Sequence, residues 1–95
     1  MDVSFEWDPR KATRNRQKHG VSFEDAVSVF GDPLARIFDD LDQAGTEPRE
    51  LIIGLCKRQR LLVVCFVERR NRIRIISARR ATKQERQDYE EGTSS

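Results

Sequence analysis

The chain is 95 residues long, 36% charged and 37% hydrophobic, enough for one thinly cored soluble domain but not for two. Its longest unbroken apolar run, Leu61 to Val67, is far too short to span a bilayer, and the acidic start MDVSFEWD lacks a secretory signal, so a cytoplasmic protein without membrane association is expected. The net charge of +2 hides a segregation of sign.

Residues 8–19 carry five basic groups against Asp8, residues 24–50 eight acids against Arg36 and Arg49, and residues 57–80 nine basic groups against Glu68. Such blocks suit a face that binds polyanions, although a charged surface serving only solubility has the same composition.

Val3 to Trp7 alternates as a short first strand with Val3, Phe5 and Trp7 on one side. Asp8-Pro9 reads as an N-cap with proline at the first helical position, and the helix should end near His19 with Gly20 just beyond it. Ala12 is the one clearly apolar residue of this helix, so its stripe of Arg10, Lys11, Arg14, Arg16 and Lys18 faces solvent or a nucleic acid. Ser22 opens a second helix whose Phe23, Ala26, Val27 and Phe30 form an apolar face, and Gly31-Asp32-Pro33 stops it. Glu24 and Asp25 in its first turn argue against a DNA-reading helix-turn-helix.

Strands are expected at Leu34–Phe38, Arg49–Cys56 and Leu61–Glu68, with an acidic loop from Asp39 to Pro48. The second and third are apolar on both faces and therefore interior. A two-residue turn at Arg58-Gln59 would set Cys65 opposite Ile52, away from Cys56, which suits two buried thiols better than a disulfide. At Arg69-Arg70-Asn71 a two-residue turn pairs Glu68 with Ile73 and a three-residue loop pairs it with Arg72, with Asn71 able to take a positive φ.

The segment RIRIISARRATKQERQDY, Arg72 to Tyr89, starts as a strand and ends as a helix. Thr82 and Glu85 have the spacing of a capping box, so the last helix should run from Lys83 to about Glu91. Arg79 and Arg80 then leave the strand beside a helix N-terminus, where two guanidiniums and a positive dipole end would attract a phosphate. An ordinary solvated strand end fits equally well. The predicted order is β-α-α-β-β-β-β-α, an α+β fold with a mainly antiparallel sheet, in a single domain over 1–91 with a disordered tail at 92–95.

One histidine and two cysteines on separate strands make no metal site, and no glycine-rich loop for a nucleotide cofactor occurs. RNA cleavage without metal stays open, because the ribose 2′-hydroxyl supplies the nucleophile. The protein then contributes cations for the phosphorane charge and groups that move protons. Arg49, Arg69, Arg74, Arg79 and Arg80 are candidate cations, Arg72 and Lys18 further RNA contacts, and Glu68, His19 and Tyr89 candidate proton carriers. Each of the last three also has a structural explanation: an ion pair for Glu68, the helix dipole for His19, and a core place with a wet hydroxyl for Tyr89.

The stretches FEWDPRKATRNRQKHGVSFEDAVSVF, GDP, PRELIIGL, LLVVCFVER and RIRIISARRATKQERQDYE together resemble BrnT-type toxins of the BrnT/BrnA toxin–antitoxin module, from Phe5 to about Tyr89. The resemblance implies a RelE-like fold, a growth-restraining ribonuclease without cofactor, and a small antitoxin that masks the toxin and brings DNA to the complex. It carries over Arg49, Glu68, Arg69, Arg79 and Arg80, and matches His19 and Tyr89 by position. Glu50 departs from the pattern, standing where an apolar strand residue is more usual, as does Pro48 ahead of Arg49. A non-catalytic nucleic-acid-binding module with the same fold is the alternative.

Overall fold

The structure, a computed structural model, describes residues 3–40 and 47–94. The elements follow the expected order: β1 (Ser4–Glu6), α1 (Pro9–His19), α2 (Phe23–Val29), β2 (Arg36–Asp39), β3 (Glu50–Leu55), β4 (Leu61–Arg69), β5 (Arg72–Arg80) and α3 (Lys83–Ser94). The five strands lie in the order β1-β5-β4-β3-β2. Among the described residues only the β1–β5 pairing is parallel. This is the mainly antiparallel α+β architecture the sequence predicts, and among the described residues no helix is long and apolar enough to cross a membrane.

The local signals act as read. Asp8 Oδ1 accepts the Arg10 amide at 2.8 Å, and Gly20 takes φ 68° to end α1. Ser22 Oγ accepts the Asp25 amide at 3.1 Å. The sheet separates two apolar clusters. On one face Leu62, Val64, Phe66, Ile52, Ile75 and Ala78 pack against Val21, Phe23, Ala26 and Val29. On the other, Ile53, Leu61 and Val63 pack against Tyr89 of α3.

Asn15 does what no apolar pattern announces. Its side chain donates to the Ala78 carbonyl at 2.8 Å and to the Val21 carbonyl at 3.0 Å, and accepts the Ala78 amide at 3.0 Å. β1 covers the outer edge of β5 only at Arg72–Arg74. Farther along, the Asn15 amide stands in for a strand and satisfies the edge groups of Ala78.

Several boundaries and one register differ from expectation. Val3 is 51% exposed and outside β1. β2 starts at Arg36 rather than Leu34, because Asp32 holds the Leu34 amide on its carboxylate (2.9 Å) and the Ala35 amide on its carbonyl (3.1 Å), keeping these residues in a turn. Most of the acidic loop, 41–46, lies outside the described residues. The β3–β4 register is shifted by one from the two-residue turn: Cys65 faces Leu51, and Ile52 faces Val64. The Gln59 amide bonds to the Cys56 carbonyl and the Cys56 amide to the Arg60 carbonyl, with Gln59 at φ 65°. That is a three-residue loop closed by a left-handed residue, a place usually given to glycine. Cys56 and Cys65 are free and sit on opposite faces.

At the β4–β5 turn the two-residue option holds, Glu68 facing Ile73, but Arg70 rather than Asn71 takes the positive φ, 52°. α3 continues past Glu91 to Ser94, where Arg36 of β2 lies against it and donates to the Asp88 carbonyl.

Candidate active site

β5 carries Arg72, Arg74, Arg79 and Arg80, and the pleat decides which of them share a face. Arg79 lies opposite Val63, on the face that α3 partly covers, whereas Arg80 lies opposite Leu62, on the α1/α2 face. The two guanidiniums therefore cannot clasp one phosphate, as their adjacency in sequence had suggested.

The capping box that starts α3 is complete. Thr82 Oγ1 accepts the Glu85 amide at 3.1 Å and Glu85 accepts the Thr82 amide at 2.8 Å. The same carboxylate takes both Nη atoms of Arg79, at 2.8 and 2.9 Å. Glu85 is pulled down to about 2, by the Arg79 hydrogen bonds first and then by the Thr82 amide, and Arg79 is raised in return. The anion at this helix N-terminus is the helix's own Glu85.

A second group of charges gathers at the other end of the same sheet face. Arg74, opposite Val67, pairs with Glu6 at 3.0 Å, and Arg72 pairs with the other Glu6 oxygen at 3.5 Å. Arg69, opposite Arg72, makes a bidentate ion pair with Glu47, whose carboxyl is held low by Arg69 with a smaller effect from Arg74. A hollow of about 500 Å³ opens here, lined by Glu6, Arg69, Arg70, Asn71 and Arg72. Arg49 stands one residue before β3. Its carbonyl accepts the Asp40 amide at 3.2 Å, and its charge reaches Cys65, whose thiol burial and the Asp40 carboxylate push up to about 11. Arg72 and Arg79 stand seven positions apart along the strand, roughly 23 Å. These arginines form a track several nucleotides long rather than one pocket.

The expected proton carriers do not join them. Glu68 lies opposite Ile73 on the α1/α2 face. His19 and Lys18 are on α1, across the sheet, beside Ile76 and Ser77. Tyr89 is 7% exposed and donates its hydroxyl to Asp32 Oδ2 at 2.7 Å; burial, then that carboxylate, raise it to about 12. Asp32 is itself lowered despite burial, since the Leu55 and Leu34 amides and the Tyr89 hydroxyl outweigh it. A phenol this reluctant to ionise is a brace between α3 and the α2–β2 turn.

Sequence reasoning did not nominate Glu6, Glu47 or Glu85 as site residues. Glu85 had a local signal, the capping box, but Glu6 and Glu47 reach arginines far away in sequence and had none. Among the described residues no group of three or more His, Cys, Asp or Glu is placed to hold a metal ion.

The family model described as "Ribonuclease toxin, BrnT, of type II toxin-antitoxin system" matches residues 7–85. The chain is also similar in fold to the crystal structure of the ribonuclease toxin BrnT of Brucella abortus. The TM-score is 0.65 at 24% identity, covering 85% of this chain and 99% of that one. A comparison with curated proteins finds no match.

Proposed function

This chain belongs to the BrnT family of ribonuclease toxins of type II toxin–antitoxin systems, and on that premise we propose that it cuts RNA on the open face of its sheet without a metal ion. The observation that carries the proposal is the gathering of Arg69, Arg72 and Arg74 with their partners Glu47 and Glu6 at one end of that face, beside a hollow of about 500 Å³. RNA lies along β5. Arg69 and Arg74 exchange their carboxylate partners for the scissile phosphodiester and stabilise the charge that develops as the 2′-oxygen bonds to phosphorus and the P–O5′ bond breaks, with the 2′-hydroxyl proton passing to solvent and the departing 5′-oxygen taking one from it. Arg79, fixed by Glu85 at the far end, takes a flanking phosphate. Arg80, Glu68 and His19 lie across the sheet from this chemistry, and Tyr89 supports the frame. The cleavage takes place in the cytoplasm, inhibits translation and growth, and is neutralised by a BrnA-like antitoxin through which the complex meets DNA.

Purified protein incubated with RNA in excess chelator should leave 2′,3′-cyclic phosphate ends. Arg74→Ala and Arg69→Ala should lower the cleavage rate by about 100-fold or more, well beyond their effect on affinity. Cleavage that needs an added divalent cation, or that survives both substitutions, refutes the proposal. A second reading, a nucleic-acid-binding module without catalysis, is favoured by one observation: Arg69, Arg74 and Arg79 are each already neutralised by a carboxylate. It predicts weaker binding in these variants, no cut ends, and no growth arrest when the chain is expressed alone.

A further inference from the structure

A row of cations without ion-pair partners among the described residues also lies on the other side of the sheet. Lys11, Arg14, Arg16 and Lys18 of α1 form no ion pair with any carboxylate among the described residues, and α1 contains no acid. Asp8, at the N-cap, accepts the Arg10 amide, and its charge reaches Arg10 and Lys11 at the start of the row. Lys11, Arg14 and Lys18 stand at i, i+3 and i+7, in line along about 10 Å of helix. With Asn15 and His19 they form one wall of a groove of about 200 Å³, and Ile76 and Ser77 of β5 form the other.

Two features of the fold keep this groove in shape. Asn15 ties α1 to Ala78 by two hydrogen bonds, so the helix cannot slide along the strand. The register shift of β5 against Cys65/Phe66 leaves Ile76 as the extra residue of a bulge at the groove wall. A row of cations without ion-pair partners on a fixed helix, beside the apolar side chain of Ile76, suits a phosphate backbone with room for a base.

We infer that α1 and the β5 bulge form a second binding track for single-stranded nucleic acid, separated by the sheet from the arginine–carboxylate site. It holds the strand through its phosphates and carries no sequence preference. The inference builds on the reading of the chain as an RNA-acting protein, but not on where the phosphodiester is cut.

The probes are fluorescent 20-mers of dT and of 2′-O-methyl-U, neither cleavable by 2′-hydroxyl attack, with affinity measured by anisotropy from about 50 to 300 mM salt. Neutralising three phosphate contacts with Lys11→Gln, Arg14→Gln and Lys18→Gln together should make the log–log salt slope shallower by about 2. It should also weaken binding roughly 100-fold near 0.1 M salt, equally for both probes. The charge-keeping triple Lys11→Arg, Arg14→Lys, Lys18→Arg should bind like the parent, which separates lost charge from lost fold. Unchanged affinity and slope in the neutralised triple overturn the inference. So does displacement of the probe by poly-L-glutamate as readily as by unlabelled dT, which assigns the groove to an acidic protein. An intact salt slope beside abolished cleavage in Arg74→Ala sinks the second track alone if the neutralised triple is also silent. A collapsed slope in the triple with normal cleavage in Arg74→Ala sinks the site reading instead.

Discussion

Glu85 joins the start of α3 to Arg79, so its removal loosens both. Glu85→Gln keeps the shape of the side chain and the acceptor for the Thr82 amide, but replaces a carboxylate with two Arg79 bonds by a neutral amide. A fall from the ordinary carboxyl value of 4.5 to about 2 sets an upper bound of roughly 3.5 kcal/mol on what ionisation contributes. Glu85 keeps 26% and Arg79 40% of their side-chain exposure, so screening by solvent brings the expected loss to about 1–1.5 kcal/mol. For a domain of this length that lowers the melting temperature by roughly 5–10 °C. Because the folded value lies below the unfolded one, the contribution is full above about pH 4.5 and is lost as the pH falls through about 2. Urea unfolding of both proteins at pH 7, 4 and 2.5 measures this difference directly. The gap between them should close steadily across that range. A gap that is absent at pH 7, or as large at pH 2.5 as at pH 7, refutes the reasoning.

Three further outcomes test other parts of the frame. Tyr89 is the single tyrosine, so the phenolate absorbance near 295 nm should rise only around pH 12 while the fold persists. Since that value is raised above the unfolded one of about 10, stability should fall between pH 10 and 12, and titration near 10 in folded protein would remove the Asp32 bond from the account. Asn15→Ala should cost about 2–4 kcal/mol in denaturant unfolding, because it orphans the amide and carbonyl of Ala78; a loss under 1 kcal/mol would show that water replaces it freely. Gly54→Ala should destabilise by about 1–3 kcal/mol, since a Cβ there would stand 2.9 Å from Ala35 Cβ and 3.1 Å from Val29 Cγ1. Unchanged stability would mean that the α2–β2 turn yields.

The elements, their order and most of their ends could be read from the chain because the signals are local. Asp8, Ser22 and Thr82 accept amides two or three residues ahead, and Gly20 terminates α1 with its own backbone. Leu61–Val67, apolar on both faces, announced its central place between two strands. What sits beside what is a different kind of information. The β3–β4 register turned on Gln59 adopting a conformation that its residue type does not announce. Adjacency in sequence grouped Arg79 with Arg80, and the pleat sent them to opposite faces. Arg74 meets Glu6 across 68 positions, Asn15 meets Ala78 across 63, and Arg69 meets Glu47 across 22. Caps and periodicities are settled by atoms a few bonds away, so the sequence alone determines them. The partner of a charged side chain, and hence whether its charge is available to a phosphate, depends on strand pairing over long separations, and only the assembled sheet decides it.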